Sequence, residues 1–197
     1  MQLNTTYLRF EIDGDGANAG FIIDGDTAKA AVGSDFWRLI LDDGLRTEIP
    51  VRSSKQRGKT TASDGVLTVT YDRLVSDYGD VYDILFRVTV VVEDGLLKFT
   101  PYLENHTADV RINECFCPLA DFESLCGDKE KDILYLPHGL GKRHENPWAL
   151  LEGMTGAYYS HDTNEVFLHL HYPRASMGWF GIESGSRFLY VARCDEK

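Results

Sequence analysis

Apolar and polar residues alternate along much of this chain with a period of two, the spacing that sends successive side chains to opposite faces of a β-strand. From Tyr82 to Glu93 the even positions Tyr82, Ile84, Phe86, Val88, Val90 and Val92 are apolar, while Asp83, Arg87, Thr89 and Glu93 fall on odd ones. This predicts a long half-buried strand. Asp94-Gly95 follows, and both residue types tolerate the positive φ that a primed two-residue hairpin turn demands. Leu97, Phe99 and Leu103, set against Lys98, Thr100, Tyr102 and Glu104, then predict the returning strand. After a polar break at Asn105-His106-Thr107, the run Val110, Ile112 and Phe116 predicts a third strand, so that residues 82–118 are expected to form a meander.

The same grammar recurs elsewhere. Asp-Gly pairs begin at Asp13, Asp15, Asp24, Asp43, Asp64 and Asp94, between short alternations such as Leu8-Phe10-Ile12, Trp37-Leu39-Leu41 and Leu67-Val69-Tyr71. Later strands are expected in 166–172, 177–183 and 187–194. No window sustains the i, i+3, i+4, i+7 apolar spacing of an amphipathic helix. The one helical signal is Asn146-Pro147 before Trp148, Ala149, Leu150 and Leu151, with Gly153 as a stop, which predicts one or two turns. The pattern therefore implies an all-β, antiparallel fold with at most one or two short helices. No internal repeat or low-complexity stretch suggests a propeller or solenoid.

A chain of 197 residues can bury a full core, and all-β domains of this size commonly form one unit, so a single domain over 1–197 is expected. Residues 53–65, with Lys55, Arg57 and Lys59 among Ser, Thr and Gly, read as a mobile surface loop. The formal charge of -11 argues against a phosphate-backbone partner for that basic run. No apolar run approaches the roughly 18 residues of a membrane span, and the first residues lack a basic stretch followed by an apolar one. A soluble cytoplasmic protein is the expectation. Cys115, Cys117, Cys126 and Cys194 make no CxxC pair, so they are expected as reduced thiols, with neither metal nor cofactor; zinc held by Cys115, Cys117 and Cys126 or His138 is the weaker alternative. The Asn105-His106-Thr107 sequon is expected to stay unmodified.

The nucleophile elbow, the phosphate loop, the dinucleotide fingerprint and the HExxH helix are all absent. Candidate chemistry is confined to a loop and some strand positions. The segment PHGLGKRHENPW, residues 137–148, gathers His138, Lys142, Arg143, His144, Glu145 and Trp148 around glycine hinges. An aromatic platform flanked by hydroxyl-pairing groups suits a carbohydrate, and a solvated surface connection is the competing reading. His169 and His171 share one strand face, where they would carry acid–base or metal chemistry or simply line a sheet surface. Glu114, in register with Ile112 and Phe116, is expected to point inward, toward either an arginine partner or a ligand-lined concave sheet. Trp37 and Trp179 are expected in the core.

The progression VYDILFRVTVVVEDGLLKFTPYLENHTADVRINECFCPLADF, followed by LYLPHGLGKRHENP, YPRASMGWFGIES and RFLYVARCD, resembles the galactose-mutarotase-like β-supersandwich, over about residues 35 to 195. The later pieces are similar to the N-terminal supersandwich of bacterial glycoside hydrolases, in which a catalytic (β/α)8 barrel follows. The resemblance implies a non-catalytic domain that packs beside a downstream barrel, and implies no catalytic residue here, because the two carboxyl groups of glycoside hydrolysis come from the barrel. It implies carbohydrate as a partner through the loop from His138 to Trp148, and association of copies through a barrel-facing apolar patch. A free-standing carbohydrate-binding module is one alternative. A small mutarotase-like aldose epimerase using Glu114 with His169 or His171 is another.

Overall fold

A computed structural model describes residues 1–23, 35–119, 125–137, 141–147, 149, 158–160, 165–167 and 179–192. The fold is all-β and antiparallel, and the chain forms two compact units, Met1–Phe122 and Glu123–Lys197.

In the first unit, β1 (Gln2–Asn4), β2 (Leu8–Ile12) and β3 (Ala19–Ile23) form one three-stranded sheet. Next come β4 (Arg38–Asp42), β5 (Ile49–Arg52), a 3-10 turn at Ser53–Lys55, β6 (Lys59–Ser63), β7 (Val66–Tyr71) and the short pair β8 (Leu74–Val75) and β9 (Val81–Tyr82). The long strands β10 (Ile84–Glu93) and β11 (Leu96–Asn105) follow, then β12 (Arg111–Phe116). The larger sheet runs β11-β10-β7-β6 and a third runs β12-β4-β5.

The alternation in β10 is realised as read: Ile84, Phe86, Val88 and Val90 are fully buried, and so are Leu67, Val69 and Tyr71 opposite them on β7. Together with Phe10, Phe21, Leu39 and Leu41 they make one apolar cluster shared by the three sheets. Edge-on aromatic contacts knit it, with Trp37 4.5 Å from Phe86 and 5.1 Å from Tyr71, and Phe10 5.1 Å from Phe99. The Tyr71 hydroxyl donates to the Gly16 carbonyl at 2.5 Å, and burial pushes the phenol's pKa well up. Two Asp-Gly pairs close hairpins: Asp64-Gly65 joins β6 to β7 and Asp94-Gly95 joins β10 to β11, each with both φ angles positive, between 52° and 77°. This is the left-handed pair that a type I′ turn requires.

Three expectations are corrected in this unit. Residues 82–118 do not make a three-stranded meander, because β12 leaves β11 and pairs with β4 in another sheet. The redirection is set at the polar break, where Asn105 Nδ2 donates to the Val110 carbonyl, Thr107 Oγ1 accepts the Asp83 amide and Asp109 takes φ 61°. Residues 53–65 are not a surface loop but a 3-10 turn and a strand in which Ser53, Gln56 and Thr60 are buried. Gln56 anchors them, donating to the Arg52 and Val75 carbonyls and accepting the Val75 amide. Finally, Glu114 does not point inward. A β-bulge places Asn113 as the extra residue between the pairs Ile112↔Leu41 and Glu114↔Ile40, so Glu114 swings to the face of half-exposed Ile40 and is itself exposed.

The second unit contains a 3-10 turn at Lys129–Lys131, then β13 (Asp132–Leu136), β14 (Lys142–Glu145), β15 (Tyr158–Ser160), β16 (Glu165–Phe167), β17 (Trp179–Ser184) and β18 (Arg187–Ala192). Its main sheet runs β14-β13-β17-β18, and β15 pairs with β16 separately. At the expected helical start, the Asn146 side-chain oxygen accepts the Ala149 amide at 3.3 Å, an N-cap ahead of Pro147.

Candidate functional site

The sheet of the second unit has two unlike faces, and cross-strand register assigns each residue to one of them. Asp132, Leu134 and Leu136 on β13 are buried, as is Ser184 opposite Asp132 on β17. Ile133 and Tyr135 alternate to the other face, which is half-buried to exposed. Directly paired residues share a face, so Arg143 and Glu145 on β14 lie beside Tyr135 and Ile133. On β17 the same face carries Trp179, Gly181 and Glu183, and on β18 it carries Phe188, Tyr190 and Ala192. Phe188 is 57% exposed and Tyr190 49%.

Four aromatic rings therefore lie on one open face, joined in two pairs. Tyr135 and Phe188 have centroids 5.9 Å apart although β17 runs between their strands, and strands two apart are separated by roughly 9.6 Å. Gly181 makes the contact feasible. Its missing side chain leaves room for the Phe188 ring to lie across β17, where an added Cβ would sit 2.4 Å from Phe188 Cζ. The second pair, Trp179 and Tyr190, is also 5.9 Å apart. Polar groups border the first pair. The Tyr135 hydroxyl donates to Glu183 Oε2, and Arg143 forms an ion pair with Glu145. The hydrogen bonds of Glu145 and then of Tyr135 hold the Arg143 guanidinium's pKa above its ordinary value.

The face unites part of the expected site and adds to it. Arg143 and Glu145 stand on it, whereas His144, paired with Leu134, belongs to the opposite face. His138, Trp148, His169 and His171 lie outside the described residues. Glu114 belongs to the first unit, is exposed and makes no ion pair among the described residues, which removes the inward placement that an epimerase base would need. Trp179 is not a core residue but a half-exposed member of the open face. Tyr135 lies in the apolar run 133–136, and Phe188 and Tyr190 lie in the apolar run 188–192, so hydrophobicity alone marks no face there, and Glu183 is the one charged residue of β17. The pattern Trp179-Gly181-Glu183 against Phe188-Tyr190 nevertheless puts aromatic and polar residues on one face, while Phe180, Ile182, Leu189 and Val191 take the other.

Arg52 and two cations of the basic run, Lys55 and Arg57, form ion pairs. Arg52 reaches Asp77 at 2.8 Å and Asp35 at 3.3 Å, Lys55 reaches Asp77 at 3.0 Å, and Arg57 reaches Asp15 at 3.0 Å. Among the described residues no group of three or more His, Cys, Asp or Glu side chains is placed to hold a metal ion, and no helix is long and apolar enough to cross a membrane. Cys115, Cys117 and Cys126 form no disulfide among the described residues, and Cys126 Sγ accepts the Ser184 hydroxyl.

No protein-family model and no curated protein matches this chain.

Proposed function

We propose that this chain is a non-catalytic β-sandwich component of a carbohydrate-active protein, resembling the supersandwich that precedes a glycoside hydrolase barrel, and that it contacts carbohydrate through the open face of its second unit. The observation that carries this reading is the set of four half-exposed to exposed rings, Tyr135, Trp179, Phe188 and Tyr190, bordered by Glu183, Arg143 and Glu145. The C–H-rich face of a pyranose stacks on such rings, and its hydroxyls pair with carboxylate and guanidinium groups at the rim. Arg143 and Glu145 come from the segment that sequence patterning singled out for sugar contact.

Calorimetry of the purified chain against a panel of neutral and acidic glycans tests the proposal. The expected result is measurable affinity for at least one sugar class, weakened by Trp179→Ala and unchanged by a surface substitution in the first unit such as Tyr7→Ala. Absence of heat across the panel overturns it.

A further inference from the structure

Resting on that reading, we infer that the open face takes an extended, uncharged oligosaccharide that lies along β17 and β18 and covers both ring pairs, rather than a single sugar or an acidic glycan. The first argument is spacing. Tyr135 pairs with Gly181, two residues along β17 from Trp179, and Phe188 is two residues along β18 from Tyr190. At about 3.3 Å per residue the two ring pairs are offset by roughly 7 Å along the strands, more than one pyranose ring can cover while stacking fully on both. A ligand using both pairs must present at least two sugar units in a row.

The second argument is charge. Among the described residues the charged groups of the face are Arg143 on β14, Glu145 on β14 and Glu183 on β17. Arg143 is engaged by Glu145, and Glu183 accepts the Tyr135 hydroxyl. Among the described residues no cation of the face is left over for a ligand anion, and one cation against two carboxylates leaves the described part of the face net negative on a chain of formal charge -11. A uronate or sulfate group would meet repulsion without a counter-ion, whereas neutral hydroxyls find acceptors in the carboxylates and a donor in the guanidinium.

The third argument is that the platform is built rather than incidental. Phe188 reaches Tyr135 only because position 181 lacks a side chain, and Tyr135 is fixed in turn by its bond to Glu183. Rings held in place lose little freedom on binding, which favours a rigid, repeating ligand over an adaptable one.

Titration of the chain with neutral gluco- and galacto-oligosaccharides of one to six units, and with oligogalacturonides of the same lengths, separates the outcomes. Affinity is expected to rise about tenfold or more between the single sugar and the longer neutral oligomers, with oligogalacturonides at least about tenfold weaker. Trp179→Ala and Phe188→Ala should each lower affinity for the long oligomer and together abolish the length dependence. Neutral binding that does not vary with length, or tighter binding of the uronates, overturns the inference while leaving the carbohydrate reading standing. Absence of binding to every oligomer overturns both. Concentration-dependent self-association that Trp179→Ala abolishes, without glycan binding, would assign the face to a second copy of the chain instead.

Discussion

Replacing glycine by alanine at two positions, Gly58 and Gly181, adds the same methyl group to the same kind of strand-associated backbone, and the surroundings predict opposite consequences. At Gly58 the new Cβ would lie 2.6 Å from the Thr70 carbonyl oxygen and 2.7 and 2.9 Å from two carbons of the Tyr71 ring. Neither neighbour can retreat. Thr70 O belongs to the backbone of β7, and Tyr71 is fully buried, wedged against Trp37 and bonded to the Gly16 carbonyl. The Gly58 amide is itself committed to the Asp15 carbonyl at 2.7 Å. Overpacking at such a site costs about 3 kcal/mol. At Gly181 the clash is closer, 2.4 Å, but the atom met is the tip of the exposed Phe188 ring. To regain an ordinary separation of 3.4 Å the ring must withdraw by about 1 Å, and it can do so into solvent. The loss is then the Tyr135 contact, about 1 kcal/mol for an aromatic pair. Urea denaturation combined with hydrogen exchange of β7 and β17 peptides measures both. Gly58→Ala should lose protection throughout the first unit, and Gly181→Ala should change stability little while weakening glycan binding. Equal destabilisation by the two, or a neutral Gly58→Ala, would refute the packing argument.

Further consequences follow from other contacts. Tyr71→Phe leaves the buried Gly16 carbonyl without its donor and should cost about 1–3 kcal/mol in chemical denaturation. Gly95→Ala forces a side chain into φ 76° at the β10–β11 turn and should cost about 1 kcal/mol, read as a shift in the denaturation midpoint. Arg52→Met removes charged bonds to Asp77 and Asp35 from a half-buried site and should destabilise the first unit by about 2 kcal/mol in the same assay. Asp43, bonded to Arg46, Asp128, bonded to Lys131, and Glu104, bonded to Tyr102, are all held below their ordinary pKa values. Depressed carboxylates stabilise the fold above the unfolded-state pKa, and that contribution is lost as pH falls through the lowered values. Thermal midpoints should therefore be level near neutrality and decline as pH drops below about 4, with the fall blunted by added salt because these pairs are exposed.

Much of the first unit was legible because its strands are buried on one face only, so that period-two patterning and burial coincide from Ile84 to Val90 and from Leu67 to Tyr71. Asp-Gly likewise announced the turns, since few other dipeptides accept two positive φ angles in succession. Pairing partners were not legible. The alternation in β12 is the same whether it lies beside β11 or β4, and the choice rests on the turn that Asn105 closes onto the nearby Val110 carbonyl and on the bond of Thr107 to the distant Asp83 amide. Glu114 illustrates the remaining difficulty: one extra residue at the bulge reverses every later position, and nothing in the local composition around Asn113 marks it. In 53–65 the polar composition pointed to solvent, whereas Gln56 is buried because its amide meets three backbone groups. The open face of the second unit was half visible. Arg143 and Glu145 stood out by charge, but Trp179 read as core, and Phe188 and Tyr190 had only a strand and no face, until register placed all three on the half-exposed side.

The most direct test of the account is hydrogen exchange of the intact chain with and without a saturating neutral oligosaccharide. Added protection confined to peptides of β13, β17 and β18, and lost in the Trp179→Ala, Tyr190→Ala double variant, is the predicted result. Protection elsewhere on the chain, or none in the presence of any glycan, would contradict the assignment of that face to carbohydrate.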